Sequence, residues 1–293
     1  MAIKSIVVVG AGQMGCGIAQ VAAQCGFEVV LQDLRMDLVE QAMALLRAKL
    51  EKRLAKAEIT QAQLAATLER IRPETGLEAA AGADLVIEAA TECLEVKTQI
   101  FQTLDEIAPV GVILASNTSA LSITALGAAT RRPAQVVGMH FMNPVPVMTL
   151  VEVVRGLETS EATLAEVTDL ARRLDKTPVV VKDSPGFVSN RLLMPMINEA
   201  IYCLSEGVAS PSDIDRVMRL GMNHPLGPLA LADLIGLDTC LAIMEVLYRD
   251  FADSKYRPCP LLRQMVRAGR LGRKSGQGFY SYFDPSVPGE KRE

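Results

Sequence analysis

Tryptophan is absent from this chain of 293 residues, aromatic residues make up only 4% of it, and there are two histidines, His140 and His224. The six cysteines, Cys16, Cys25, Cys93, Cys203, Cys240 and Cys259, form no C-x-x-C pair and have no histidine at ligand spacing. No metal is therefore expected, and free thiols are the expected state. Long apolar runs are also missing: none approaches the roughly 20 residues of a membrane span. Charge of one sign is missing too, since 30 basic and 34 acidic side chains leave a net charge of −4. Neither a membrane nor a nucleic acid is expected as a partner. The first apolar run opens at about residue 3 with no signal or transit pattern ahead of it, so the expected location is the cytoplasm. The chain has no repeat and no low-complexity tract. Its hydrophobic content of 49% and its length suffice for two domains with a sizeable core.

The run Ile6-Val7-Val8-Val9 leads directly into Gly10-Ala11-Gly12-Gln13-Met14-Gly15. A strand followed by G-x-G-x-x-G is a candidate dinucleotide site: the first glycine turns tightly, the second admits phosphate to the backbone, and the third lets helix and strand pack closely. The helix N-terminus then faces the anion. Gln13 and Met14 lie between the last two glycines and join the candidate contact surface. A second apolar run, Phe27 to Leu31, is followed by Asp33 at the position expected of a ribose-binding acid. A carboxylate there repels a 2′-phosphate, so NAD is expected over NADP. Arg35 is the one side chain nearby that could favour the phosphate, although a solvent-facing loop charge is the plainer reading of it.

Seven apolar runs, at 3–9, 27–32, 84–89, 112–115, 135–141, 149–154 and 177–181, alternate with amphipathic stretches. They predict an α/β fold, a Rossmann-like doubly wound and mostly parallel sheet, over 1–184. The interval from Asp33 to Asp84 is too long for one crossover helix. Residues 37–72 read as two helices broken near Glu58-Ile59-Thr60, an insertion projecting from the sheet. Val39, Met43, Leu46, Leu50 and Leu54 form the apolar face of the first, and Lys49, Lys52, Arg53 and Lys56 lie elsewhere on it. Such a basic cluster is most simply a solvated face. Past Asp183-Ser184-Pro185-Gly186, helical patterns at 187–206, 211–220, 227–249 and 259–269 predict an all-helical second domain over 185–293. Gly272-Arg273-Lys274-Ser275-Gly276 lacks the strand and spacer of a P-loop.

Hydride chemistry at an alcohol carbon needs a partner for the hydroxyl proton, and histidine is suited to it. His140 closes the run Gln135 to Phe141, and open parallel sheets bind ligands at the carboxyl ends of their strands. Glu152 lies in the run Thr149 to Val154, where a carboxylate needs a partner. A His-Glu pair, whose carboxylate sets the imidazole tautomer, meets both needs, whereas a glutamate on a strand edge facing water is the plainer alternative. Asn117, Thr118 and Ser119 follow another strand end and offer groups for a substrate oxygen, although a simple turn uses the same residue types.

These residues resemble the short-chain (S)-3-hydroxyacyl-CoA dehydrogenase family, in particular its bacterial-type 3-hydroxybutyryl-CoA branch. The likeness runs through Gly10 to Gly15, Ala115-Ser116-Asn117-Thr118-Ser119, Gly138-Met139-His140-Phe141-Met142-Asn143-Pro144 and Pro185-Gly186-Phe187-Val188-Ser189-Asn190-Arg191. It continues through Asn223 to Pro228 and Leu271 to Tyr280. The resemblance implies that His140 and Glu152 are the acid/base pair, that Ser119 and Asn190 hold the reacting end of the substrate, and that Glu92, Lys97, Asn117, Asn143 and Lys274 lie near NAD. It also implies that Lys52 and Lys56 bind phosphates of an acyl-CoA substrate and that the helical domain forms a homodimer. Ser189, Met142 and Thr91-Glu92-Cys93 depart from the family's strings, which leaves acyl-chain preference open. The alternatives are a substituted substrate such as 3-hydroxyadipyl-CoA, a CoA-free hydroxy acid or sugar acid, and a protein that binds the cofactor without turnover.

Overall fold

The computed structural model of the protein describes residues 3–282. In chain order the first unit comprises β1 (Ser5–Val9), α1 (Gln13–Gln24), β2 (Glu28–Asp33), α2 (Met36–Ala55), α3 (Gln61–Glu69), β3 (Ile71–Thr75), β4 (Leu85–Glu88), α4 (Leu94–Ile107), β5 (Ile113–Ser116), α5 (Ile123–Ala128), β6 (Val136–Phe141), β7 (Leu150–Arg155), α6 (Glu161–Arg173) and β8 (Thr177–Lys182). The strands form one sheet in the order β3-β2-β1-β4-β5-β6-β7-β8. Pairing is parallel throughout, except that β6 and β7 run antiparallel. Strands β4, β5 and β6 are buried along their whole length because helices cover both faces of a parallel sheet. Strand order reverses between β1 and β4, which opens the crevice at their carboxyl ends.

Seven of the eight strands coincide with the apolar runs, and the exception is β3. Its sequence, Ile71-Arg72-Pro73-Glu74-Thr75, carries a proline and two charges that only a sheet edge tolerates. The two inserted helices break where expected, with Thr60 capping α3 in a reciprocal bond with Gln63. They do not simply project from the sheet. Val39, Leu46 and Leu50 on α2 are fully buried in the same core as Ile18, Leu31 and Ile71. Met43 and Leu54, expected on that face, are only partly buried against it. The insertion thereby joins α1 in covering β2 and β3.

The two compact units are Met1–Phe187 and Val188–Glu293. The second contains α7 (Ser189–Ser205), α8 (Pro211–Gly221), α9 (Pro228–Ile235), α10 (Leu237–Phe251) and α11 (Pro260–Arg267), and residues 283–293 of the expected helical domain lie outside the described residues. A single helix over 227–249 is broken at Gly236, whose φ of 104° is open to glycine and unfavourable to other residues. The core of this unit gathers Met194, Ile197, Leu229, Leu237, Leu247 and Leu262. Buried Asp233 and Asp215 organise its last segment. Asp233 accepts bonds from the Phe279 and Tyr280 amides at 3.0 Å each, and the Tyr280 hydroxyl donates to Asp215 at 2.8 Å. Burial, followed by this bond to Asp215, pushes the Tyr280 phenol up. A Cβ on Gly278 would lie 2.0 Å from the Asp233 carboxylate, so the Gly-Phe-Tyr string is first of all a lock for this segment.

Candidate active site

The three glycines of the fingerprint differ in what surrounds them. Gly10 turns with a φ of 105°, and a Cβ there would stand 2.7 Å from the Ala89 carbonyl oxygen. Gly15 packs so closely that its Cβ would meet the Gly10 carbonyl at 1.8 Å. Gly12, at the N-cap of α1, has nothing within 4 Å of the added atom. Open space beside a helix N-terminus fits a pyrophosphate. Asp33 closes β2 next to this turn: one carboxylate oxygen accepts the Ala11 amide at 2.8 Å and the other the Leu34 amide at 2.7 Å. Arg35 pairs with Asp37, and both are exposed, in keeping with an ordinary loop charge. Gln13 donates to the Asn143 side chain at 3.1 Å, bringing two candidate cofactor residues together, and Met14 packs partly buried against the core.

His140 and Glu152 stand directly opposite each other across the antiparallel pair β6/β7, where facing side chains share one side of the sheet. His140 Nδ1 lies 2.8 Å from Glu152 Oε2, and both residues are buried, at 7% and 2% exposure. A carboxylate can only accept, so Nδ1 carries the hydrogen, and in the neutral ring Nε2 then keeps its lone pair. Phe187 packs against the ring, with centroids 5.7 Å apart. Asn117 accepts the Phe141 amide at 2.9 Å and ties the end of β5 to the residue beside His140. Ser119 is half-buried, and both its amide and its hydroxyl donate to Glu92 Oε1, at 2.5 and 2.8 Å; the Thr118 hydroxyl donates to Glu92 Oε2 at 2.8 Å. The loop after β6 is stapled by buried Lys176, which donates to the Val145 and Met148 carbonyls at 2.6 and 2.8 Å; burial lowers the pKa of this ammonium.

The remaining expected residues differ in their surroundings. The Lys97 ammonium points inward, 1% exposed, onto Glu88, and lies 3.8 Å from Glu92. Lys52 and Lys56 are exposed at the C-terminal end of α2, where helix polarity favours cations with or without a ligand. In the helical unit, Asn190 lies buried in the first turn of α7, and Lys274 pairs with Asp238 at 2.6 Å. Sequence reading overlooked Glu88 and Ser116. The one available signal was a carboxylate ending the apolar run Leu85-Val86-Ile87. Among the described residues there is no group of histidine, cysteine and carboxylate side chains able to hold a metal ion, and no helix is long and apolar enough to cross a membrane.

Comparison with known proteins decides what this arrangement belongs to. Residues 5–184 match the model of the 3-hydroxyacyl-CoA dehydrogenase NAD binding domain, and residues 186–282 match that of the 3-hydroxyacyl-CoA dehydrogenase C-terminal domain. The chain belongs to the 3-hydroxyacyl-CoA dehydrogenase family. It is 58% identical to a probable 3-hydroxybutyryl-CoA dehydrogenase of Bacillus subtilis over 282 residues, 96% of this chain and 98% of that one. It is 41% identical to a 3-hydroxyadipyl-CoA dehydrogenase of Escherichia coli, covering 96% of this chain and 59% of that longer protein. The crystal structure of an (S)-3-hydroxybutyryl-CoA dehydrogenase from Ralstonia eutropha superposes with a TM-score of 0.93 at 52% identity, over 97% of this chain and all of that one. As a member of this family the protein is an NAD-dependent oxidoreductase. The open cradle at Gly12, walled by Gly10 and Gly15 and flanked by Asp33, fits that cofactor.

Proposed function

We propose that the protein interconverts (S)-3-hydroxyacyl-CoA and 3-oxoacyl-CoA with a short acyl chain, the 3-hydroxybutyryl/acetoacetyl pair, in the cytoplasm and as a homodimer. The observation that carries the reading is the buried His140–Glu152 pair at the same end of the sheet as the Gly12 cradle. NAD supplies the hydride acceptor for oxidation, and in its reduced form the donor. His140 Nε2 takes the proton of the C3 hydroxyl as the alcohol is oxidised and returns it on reduction, while Glu152 holds the ring and stabilises charge developing on it. Ser119 and Asn190 orient the reacting end of the substrate. Asn117, Asn143, Gln13, Met14 and Glu92, with Lys97 behind Glu92, shape the cofactor side, and Asp33 receives the adenosine ribose. Lys52 and Lys56 meet the CoA phosphates, and Lys274 is a further candidate for the cofactor. Dimerisation through that unit is supported by Leu192, Val217, Leu220 and Met222, apolar side chains each more than half exposed.

Relatives' names support the acyl class, and a substrate panel tests it. Initial rates with acetoacetyl-CoA, longer 3-oxoacyl-CoA thioesters and 3-oxoadipyl-CoA, each with NADH and NADPH, are expected to be highest for acetoacetyl-CoA with NADH. A higher kcat/KM for the dicarboxylic thioester would transfer the assignment to a substituted acyl group. Equal turnover of a CoA-free 3-oxo acid would defeat the acyl-CoA reading.

A further inference from the structure

Glu88 ends the central strand β4 at the end of the sheet that holds Gly10 and Asn117, and it is fully buried. Its carboxylate accepts two bonds from the Lys97 ammonium at 2.7 Å each, one from the Ser116 hydroxyl at 2.7 Å and one from the Ala90 amide at 2.7 Å. A buried ion pair of this kind is weak evidence for stability, because well-packed apolar replacements are often neutral or stabilising. Each of the four bonds instead leads into the site. The Ala90 backbone walls the Gly10 turn, where an added Cβ would come within 2.9 Å of it. Ser116 precedes Asn117, whose amide donates to the Glu88 carbonyl at 2.7 Å and whose side chain holds the Phe141 amide beside His140. Lys97 reaches past Glu88 to within 3.8 Å of Glu92, the carboxylate that fixes Thr118 and Ser119.

We infer that Glu88 is a positioning residue for the dehydrogenase site: through Lys97 it sets Glu92, and through Ser116 and Ala90 it sets the 117–119 turn and the glycine loop. Being wholly buried, it touches neither substrate nor cofactor. The inference rests on the dehydrogenase reading above. A purely structural pair would need only to keep the fold intact, whereas a positioning pair must also keep the edge of the sheet in register with the reacting groups, where small misplacements cost much rate.

The test compares wild type, Glu88→Gln, Ser116→Ala and the double variant Glu88→Gln/Lys97→Met in three readouts: thermal melting, the NADH dissociation constant measured by fluorescence without substrate, and acetoacetyl-CoA reduction. Glu88→Gln strands the buried Lys97 and lowers the melting temperature. The double variant removes both charges while leaving an amide within reach of the Ala90 N–H and Ser116. Expected is a double variant that regains most of the melting temperature yet keeps a kcat at least about tenfold below wild type and a correspondingly weaker grip on NADH. Ser116→Ala, which keeps Lys97 and loses a single bond, is expected to fold normally and lose several-fold in kcat/KM; it carries the test if the other variants fail to fold. Recovery of NADH affinity and kcat in step with melting temperature overturns the inference. So does wild-type behaviour of Ser116→Ala or of folded Glu88→Gln in both functional readouts. If wild type binds NADH and reduces no 3-oxoacyl thioester, the dehydrogenase reading fails, and the NADH constants of the variants still decide the positioning role.

Discussion

Replacing Glu152 by glutamine changes one oxygen to an amide nitrogen at nearly constant volume, in a pair with a spacing of 2.8 Å and almost no solvent access. A hydrogen bond to a charged group contributes about 1.5–3 kcal/mol. At about 1.4 kcal/mol per tenfold change in rate, losing that contribution in the transition state alone costs between roughly 10- and 150-fold. A second loss compounds the first. The amide can donate to Nδ1, which forces the hydrogen onto Nε2 and leaves the reacting nitrogen without the lone pair it needs in the oxidation direction. The expected total is a kcat reduced on the order of 10²–10⁴-fold. The assay is steady-state NAD-dependent oxidation of 3-hydroxybutyryl-CoA and the reverse reduction of acetoacetyl-CoA, with NADH affinity and thermal melting as controls, both expected near wild type. Turnover within threefold of wild type in both directions would refute the reasoning. An equal fall in NADH affinity would also refute it, since it would make Glu152 a general support of the sheet rather than the partner of His140.

Asp33→Ala is expected to narrow the preference for NADH over NADPH mainly by admitting NADPH, and comparable kcat/KM for the two cofactors in wild type would contradict the role given to this carboxylate. It is also expected to loosen the glycine loop, since the Ala11 amide loses its acceptor. Lys52→Ala/Lys56→Ala is expected to raise KM for acetoacetyl-CoA several-fold at low salt, less so at high salt, and to leave a pantetheine thioester lacking the nucleotide phosphates unaffected. Equal impairment of both substrates would assign these lysines to the fold. A pH-dependent stability term is expected at Asp105. Burial pushes this carboxyl up, but bonds from the Arg131 amide and side chain and from Arg132 outweigh burial and hold it below the ordinary carboxylate value. A carboxyl with a lowered folded-state pKa adds stability above its unfolded value, and this stability is lost as pH falls through the folded one. The stability gap between wild type and Asp105→Asn, on the order of 1 kcal/mol at pH 7, should therefore close as pH drops below about 4. Denaturant melts at pH 7 and at pH 3 would read it, and a gap that widened in acid would refute it.

What the sequence made legible was mostly chemistry with a local signature. Gly10, Gly12 and Gly15 are recognisable because turn, phosphate approach and close packing all fall within six residues. Glu152 stood out as a carboxylate inside an apolar run, and its pairing with His140 followed once antiparallel strands placed them opposite each other. The strand β3 was hidden because an edge position tolerates the proline and charges that argue against a strand elsewhere. Gly236 divided one expected helix into two through a backbone angle that periodicity does not register. Lys97 entered the candidate site through the family resemblance, which gave no sign that it is buried. Its partner Glu88 is nine positions away and on another element, and only the packing of α4 against the sheet brings the two charges together. Asp105 with Arg131 and Arg132, and Lys176 with the loop after β6, were illegible for the same reason.

The central claim is that His140 carries the proton in an NAD-dependent reduction at this edge of the sheet. Single-turnover and steady-state rates of acetoacetyl-CoA reduction by His140→Gln, alongside its NADH dissociation constant, test that claim most directly. The expected result is a loss of at least about 10²-fold in the chemical step with NADH bound as tightly as by wild type. Near-wild-type turnover by this variant would contradict it.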